Sequence, residues 1–219
     1  MEQCQTALTV FTVRPYTQND LKQLIGVYQS AFAEKPWDEY RKCVSCGVNY
    51  GIEESVEAGK SCKKCSKPLN LVEFWSETEI IKDLELALSQ RDPIILVGED
   101  KSQLVGFTWG YRLPIEKFPF LKGKVLQNCS YMDEIAVRGN LRKNGLGQAL
   151  GKAYLERAQS QNMDQVVLRT DERNEASMAL FKKLGFWGFK QPRLYDPQYP
   201  NRLYLAKFLG EPYDIAPCR

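Results

Sequence analysis

The 219-residue chain contains no histidine. That absence removes the Ser-His-Asp and Cys-His arrangements of nucleophilic catalysis and every histidine-ligated metal site. Any acid or base must be a carboxylate, a tyrosine, a lysine, a cysteine or water, so Cys129 lacks the usual partner of a nucleophilic thiol and reads as core. Long apolar runs are missing as well. The stretch Ala7 to Val13 is broken by threonines and offers neither a secretory signal nor a membrane span, which leads to the expectation of a soluble, cytoplasmic protein. There is no internal repeat and no low-complexity segment. With 43% apolar and 26% charged residues, the chain suits one sizeable core and does not require two, so residues 1–219 are expected to form one domain carrying an insertion at 40–68.

What is present is informative. Cys43-x2-Cys46 and Cys62-x2-Cys65 are separated by fifteen residues, the spacing of a tetrathiolate zinc site in which each close pair turns two sulfurs toward one ion. Four cysteines close the coordination sphere, so the expected Zn2+ is structural. Binding zinc is worth about 10 to 16 kcal/mol in such peptides, enough to fold a segment with little apolar core. Cys4, Cys129 and Cys218 stand outside the pattern as free thiols, and this cysteine usage favours a reducing compartment. The formal charge is +3. Arg41, Lys42, Lys60, Lys63, Lys64 and Lys67 against Glu53, Glu54 and Glu57 place that whole excess in the insertion. Four thiolates and one Zn2+ contribute −2, which lowers the loaded insertion to near +1 and makes nucleic acid an unlikely partner.

Periodicity supplies the framework. Leu8 to Arg14 alternates as a first strand, and Leu21 to Phe32 reads as a helix with a stripe of Leu21, Leu24, Ile25, Tyr28 and Phe32. A second helix, Glu77 to Ser89, presents Ile80, Ile81, Leu84, Leu86 and Leu88. Ile94 to Gly98 and Leu104 to Tyr111 form a hairpin across a polar turn. A long connection, Pro114 to Asn128, precedes a strand at Ser130 to Val137. Then come a helix to about Ser160, a strand at Gln165 to Thr170, a helix after Asn174, and strands near Phe186 to Lys190 and Leu203 to Leu209. This order describes an α+β sheet protein.

Between the strand ending at Val137 and the following helix lies Arg142-Lys143-Asn144-Gly145-Leu146-Gly147-Gln148. Two glycines let backbone N–H groups approach an anion without Cβ interference, and a helix N-terminus carries partial positive charge, so the turn suits a pyrophosphate. The spacing Arg-x-x-Gly-x-Gly resembles the acyl-CoA loop of the GNAT superfamily of N-acetyltransferases. Asp133-Glu134-Ile135-Ala136-Val137 resembles that family's central strand. The stretch Asn174 to Phe186, an Asn-initiated helix closed by Gly185-Phe186, is similar to its second signature.

The resemblance covers about Thr9 to Leu209. It implies a mixed, mostly antiparallel central sheet flanked by helices, with the zinc-binding insertion between the first two helices. The strands at Ser130 to Val137 and Gln165 to Thr170 would diverge to admit the pantetheine arm. It also implies acetyl-CoA as donor, gripped by the amides from Lys143 to Gln148 (Lys143, Asn144, Gly145, Leu146, Gly147 and Gln148). Arg142 would shape the loop or pair with phosphate, and backbone groups of Ile135 and Val137 would pair with pantetheine. Asn174 would serve as helix cap or as a contact to pantetheine or an ordered water. Lys182 and Lys183 would attract nucleotide phosphates or simply complement a helix C-terminus.

The acceptor is an unidentified primary amine. A lysine-like ammonium has a pKa of about 10.4, so presenting it neutral at pH 7 costs roughly 4 to 5 kcal/mol, which a carboxylate base reduces. The resemblance places that base at Asp133 or Glu134, with water as the alternative. Strand alternation sends the two to opposite faces, and Glu134 is chosen. Where many relatives carry a tyrosine acid for the departing thiolate, this chain has Phe181. Two other classes stand beside an acetyltransferase: an acyl-CoA-binding protein without turnover, and a zinc-ribbon module for nucleic acid or protein. Discharge of acetyl-CoA by an amine separates the first from these. The loop after Pro114 and the segment Pro192 to Asn201, with Tyr195 and Tyr199, are expected to line the acceptor site. Oligomeric state is not encoded in any of these features.

Overall fold

The computed structural model describes residues 11–54, 60–188 and 194–210. In chain order the elements are β1 (Thr12–Pro15), α1 (Leu21–Phe32), β2 (Arg41–Cys43), β3 (Asn49–Tyr50), β4 (Leu71–Glu73), α2 (Glu77–Ser89), β5 (Ile94–Asp100), β6 (Gln103–Arg112), β7 (Cys129–Val137), α3 (Leu146–Ser160), β8 (Gln165–Asp171), α4 (Glu175–Lys183), β9 (Trp187–Gly188) and β10 (Arg202–Phe208). Seven strands form one sheet in the order β1-β5-β6-β7-β8-β10-β9, and β3-β2-β4 form a small second sheet. Every neighbouring pair is antiparallel except β7 with β8. This is the mixed, mostly antiparallel α+β sheet expected from the sequence. Among the described residues no helix is long and apolar enough to cross a membrane.

Local chemistry sets the helix starts. Ser76 accepts the Glu79 N–H while the Glu79 carboxylate accepts the Ser76 N–H at 2.9 Å, a capping box that opens α2. Asn174 Oδ1 accepts the Ser177 N–H at 3.1 Å and starts α4. No side chain caps α3, which begins after Gly145 with φ +92°.

Two cores lie on opposite faces of the large sheet. Leu24, Tyr28, Ile80 and Leu84 of α1 and α2 pack on Phe107, Trp109 and Tyr131. Leu146, Leu150 and Tyr154 of α3 and Phe181 of α4 pack on Met132, Val166 and Leu205. The buried stripe of α2 is Ile80, Leu84 and Ala87, at helical spacing, while Leu86 and Leu88 are exposed, contrary to the sequence reading. The hairpin turn is shorter than expected: only Lys101 and Ser102, both at positive φ, separate β5 from β6.

The long connection after Pro114 folds as two short 3-10 turns. It lays Phe118 on Tyr131 and Phe120 on Tyr204, with ring centroids 5.1 and 5.2 Å apart. Residues 8–10 of the expected first strand, 189–190 of the expected Phe186 to Lys190 strand, Pro192, Cys4 and Cys218 lie outside the described residues.

Candidate active site

The loop from β7 to α3 has the form that the sequence suggests. The first backbone bond of α3 runs from the Ala149 N–H to the Gly145 carbonyl, so the amides of Leu146, Gly147 and Gln148 stand outside the helical ladder. A Cβ on Gly145 would meet nothing within 4 Å, and its φ of +92° favours glycine. Gly147 is not required by space: a Cβ there would lie 3.4 Å from Leu180, an ordinary van der Waals contact. Arg142 does not reach outward. Its Nε donates to the Val137 carbonyl at 3.2 Å and its Nη2 to the Ala31 carbonyl at 3.0 Å, while Nη1 pairs with Glu34 at 2.8 Å. Of its two expected roles, the bonding matches shaping the loop, by tying it to the end of α1.

β7 and β8 pair in parallel from Cys129 opposite Gln165 to Met132 opposite Leu168 and no further. From Asp133 onward β7 makes no ladder pair with β8, and on that edge the Val137 carbonyl accepts from Arg142. The Arg138 N–H bonds to the Val105 carbonyl across β6. Alternation therefore turns the backbone groups of Val137 and Ile135 into the opening.

On the α1–α2 face, the register of β6 with β7 shifts: Trp109 is opposite Glu134 and Gly110 opposite Met132, which leaves Asp133 as the extra residue of a β-bulge. The bulge overturns the expectation that Asp133 and Glu134 point to opposite faces. Asp133 accepts the Tyr111 hydroxyl at 2.9 Å, and both carboxylates interact with Asp83 and Arg169 on the same side of the sheet. Two further carboxylates join them. Asp83 accepts the Tyr28 hydroxyl at 3.2 Å, and Glu39 accepts the Trp75 Nε1–H at 2.8 Å.

Burial raises the pKa of Glu39 and Asp83. It lifts the Asp133 carboxyl to about 6, and burial with the negative charge of Asp133 holds Glu134 well above the usual carboxylate range. Among the described residues none of the four forms an ion pair; the nearby Arg169 is bound to Asp196 at 2.9 Å. The cleft therefore gathers carboxyl groups whose affinity for a proton is raised by burial, set against neutral O–H and N–H donors with Arg169 nearby. It is chemically disposed to receive a cation and to take a proton from it.

Sequence reasoning missed Glu39, Asp83, Tyr28, Tyr111 and Arg169. Asp83 had one local signal, a carboxylate three residues after the core residue Ile80 on an otherwise apolar helix face. The others meet only through long-range packing.

Several sequence expectations concern groups at the periphery. Phe181 is 4% exposed and packs on Phe186, so its ring belongs to the core. Asn174 uses its side-chain oxygen as a cap. Cys129 is buried and its thiol is pushed up to about 12 by that burial, as a core cysteine should be. In the small lobe, the Sγ atoms of Cys43, Cys46, Cys62 and Cys65 all lie within 4.8 Å of one another, and all four are free thiols. Tight turns closed by the Gly47 N–H on the Cys43 carbonyl and the Ser66 N–H on the Cys62 carbonyl aim each pair inward. The Cys65 amide, the Tyr50 hydroxyl and the Lys64 amide lower the Cys62 thiol to about 5, while Cys46, despite the Val48 amide, is raised to about 11 by desolvation and the neighbouring cysteines, so the cluster places its first thiolate at Cys62.

The sequence and the fold have counterparts in known proteins. Residues 63–186 match the model of the Acetyltransferase (GNAT) family, and the chain belongs to that family. It is 29% identical over 125 residues to an L-methionine sulfoximine/L-methionine sulfone acetyltransferase of Pseudomonas aeruginosa, covering 53% of this chain and 66% of that one. It is 35% identical over 89 residues to an L-2,4-diaminobutyric acid acetyltransferase of Vibrio parahaemolyticus, covering 41% and 44%. The matches thus span two-thirds or less of these relatives. In fold, it resembles the PaiA N-acetyltransferase from Thermoplasma acidophilum in complex with coenzyme A, with a TM-score of 0.58, 14% identity, and coverage of 91% and 99%. The ribosomal-protein-S18-alanine N-acetyltransferase from Escherichia coli gives a TM-score of 0.54 at 13% identity, with coverage of 94% and 98%.

Proposed function

We propose that this protein moves an acetyl group from acetyl-CoA to a primary amine by direct attack, with the Asp133–Glu134 pair as the proton acceptor. The observation that carries the reading is the bulge at Asp133, which brings both carboxylates to one face beside the opening between β7 and β8. Acetyl-CoA supplies the thioester. The amides of Lys143 to Gln148 hold its pyrophosphate at the start of α3. Backbone groups of Ile135 and Val137 align the pantetheine in the opening, and an N–H near Ile135 faces the carbonyl oxygen as it gains charge. Arg142 fixes the loop through Val137 and Ala31.

An ammonium entering the cleft meets carboxylates whose affinity for protons has been raised by burial. The gap between its own pKa of about 10.4 and that of the base is thereby narrowed. Glu134 remains the preferred base, with Asp133 as its electrostatic partner. Because Phe181 is core, the thiol of coenzyme A leaves as thiolate, tolerable at a pKa of about 8.5 by analogy with cysteine, or with a proton from water.

The same burial of Phe181 favours a second reading, acyl-CoA binding without turnover. One assay separates the two: release of coenzyme A from acetyl-CoA across a panel of primary amines. Amine-dependent, saturable release is expected, whereas saturable cofactor binding without it selects the second reading.

The four cysteines suit one structural Zn2+ within a single 1–219 domain bearing a 40–68 insertion, in a reducing, cytoplasmic setting. Metal analysis should return one zinc per chain. Cys43→Ser should abolish that stoichiometry and expose the amides of β2, β3 and β4 to hydrogen exchange.

A further inference from the structure

Glu39 belongs to the acidic cleft and also lines a cavity of about 230 Å3 between the cysteine lobe and the ends of β8 and β10. The lobe contributes Asn49 to its wall, and Trp37, Asp171, Arg173, Tyr199 and Arg202 complete the part that matters here. Arg202 is the unusual member. Its guanidinium lies 5.4 Å from the centroid of the Trp37 ring and 4.7 Å from that of Tyr199. Such aromatic contacts position the planar group while leaving its N–H edges available.

Glu39 and Asp171 in the same lining lie close enough for Arg202 to lower their pKa, but each spends its hydrogen bonds on another donor. Asp171 accepts the Arg173 Nε–H at 2.9 Å, the Arg173 Nη2–H at 2.6 Å and the Arg173 backbone N–H at 2.9 Å. Glu39 accepts from Trp75. Among the described residues, no side-chain hydrogen bond or ion pair is made by Arg202. A half-buried guanidinium held by rings, without an acceptor and facing a cavity, is a site for a planar anion, and a carboxylate matches its fork.

We propose that Arg202 binds a carboxylate carried by the amine acceptor, so that the acceptor is an amino acid whose amine lies at Asp133 and Glu134; this rests on the acetyl-transfer reading above. The sheet register sets the span. Met132 is opposite Leu168, the last pair of β7 with β8, so Asp133 and Arg169 are the first residues past it; Arg169 is opposite Tyr204, and Arg202 is two residues from Tyr204 along β10. Two paired-strand spacings of about 4.8 Å and two residues at about 3.3 Å each would separate the two backbones by roughly 12 Å, and the end of pairing between β7 and β8 makes that a lower bound. That distance suits the terminal amine of a long side chain, as in lysine or ornithine, better than an α-amine beside the carboxylate. The cysteine lobe, through Asn49, closes one wall of the pocket that receives the carboxylate.

The test uses amines matched except for the carboxylate: L-lysine against 1,5-diaminopentane and L-ornithine against 1,4-diaminobutane. Both steady-state coenzyme A release and titration calorimetry are read with the full chain. The wild type should prefer each amino acid at least tenfold in kcat/KM. Arg202→Gln should raise the amino acid KM at least tenfold while leaving the diamines and the acetyl-CoA KM within about twofold, and Arg202→Lys should restore part of the preference. Equal use of both members of a pair, preference for the diamine, or an equal loss for both in Arg202→Gln overturns the proposal. If no amine turns over, acetyl transfer itself falls and calorimetry decides this inference alone. Lysine binding that weakens in Arg202→Gln supports it; binding that is absent, or indifferent to the substitution, overturns it.

Discussion

Two sets of carboxylates in this molecule have opposite surroundings. Near the N-terminal strand, Asp20 is buried and receives Arg14 Nη1 and Nη2 at 2.7 Å each together with the Thr17 N–H, and Arg14 also bonds Glu99. The arginine holds the Asp20 carboxyl down to about 2. In the cleft, Asp133, Asp83 and Glu39 accept hydrogen bonds from tyrosine or tryptophan, Glu134 lies beside them, and Arg169 and Arg202 are near without forming an ion pair with any of the four; burial dominates and their pKa values rise. The chain thus supplies a counterion where a charge has a structural task. Beside the opening of the sheet it pairs none of the four carboxylates directly, and under the proposed function the balancing charge arrives with the amine. The difference separates a carboxylate that holds the fold from one that is poised to exchange a proton.

The largest effect that sharpens this contrast is on catalysis. Glu134→Gln, which keeps shape and removes the base, should lower kcat/KM for the amine by about 100- to 10,000-fold while leaving acetyl-CoA affinity in place. An Asp133→Asn loss as large as that of Glu134→Gln would move the role of base to Asp133.

The next effect is on stability, and the two regions should respond to pH with opposite signs. Asp20 has a folded pKa below its unfolded value, so its contribution is present above about pH 4 and is lost as the pH falls toward 2. Asp20→Asn should therefore cost about 2 kcal/mol at pH 7, about half as much at pH 3 and little at or below pH 2 by denaturant titration. Asp133 has a folded pKa above its unfolded value, so its ionisation subtracts stability as the pH rises from about 4 to about 6. Asp133→Asn should be more stable than the wild type by on the order of 1 to 2 kcal/mol at pH 7, and indistinguishable from it near pH 4. Effects of the same sign would erase the comparison.

Much of the framework was legible because it rests on local patterns. The stripe of α1, the Arg142 to Gly147 turn, the Asn174 cap and the paired cysteines each depend on residues within one element, and each lies where its spacing suggested. The facing of Asp133 and Glu134 was not legible. A bulge inserts one residue into β7 relative to β6, and alternation counted along one strand cannot reveal a register shift that exists only in the pair. The acidic cluster was hidden for a related reason, since Glu39, Asp83 and Asp133 come from a loop, a helix and a strand distant in sequence. The small β3-β2-β4 sheet escaped notice because its strands are two or three residues long and are organised around cysteines rather than by apolar alternation. Leu86 and Leu88 are apolar yet exposed, and Ala87 between them is buried, because angular position on the helix and not apolar character alone decides which residue meets the core.

The central claim, that the cleft holds carboxylates awaiting an external cation, is tested most directly by a carboxyl-carbon NMR titration of the wild-type protein with and without L-lysine. The expected result is an Asp133 midpoint near 6, a Glu134 midpoint above the usual carboxylate range, an Asp20 midpoint near 2, and a fall in the first two alone when the amine is added. Midpoints for Asp133 and Glu134 at about 4, unmoved by amine, would contradict it.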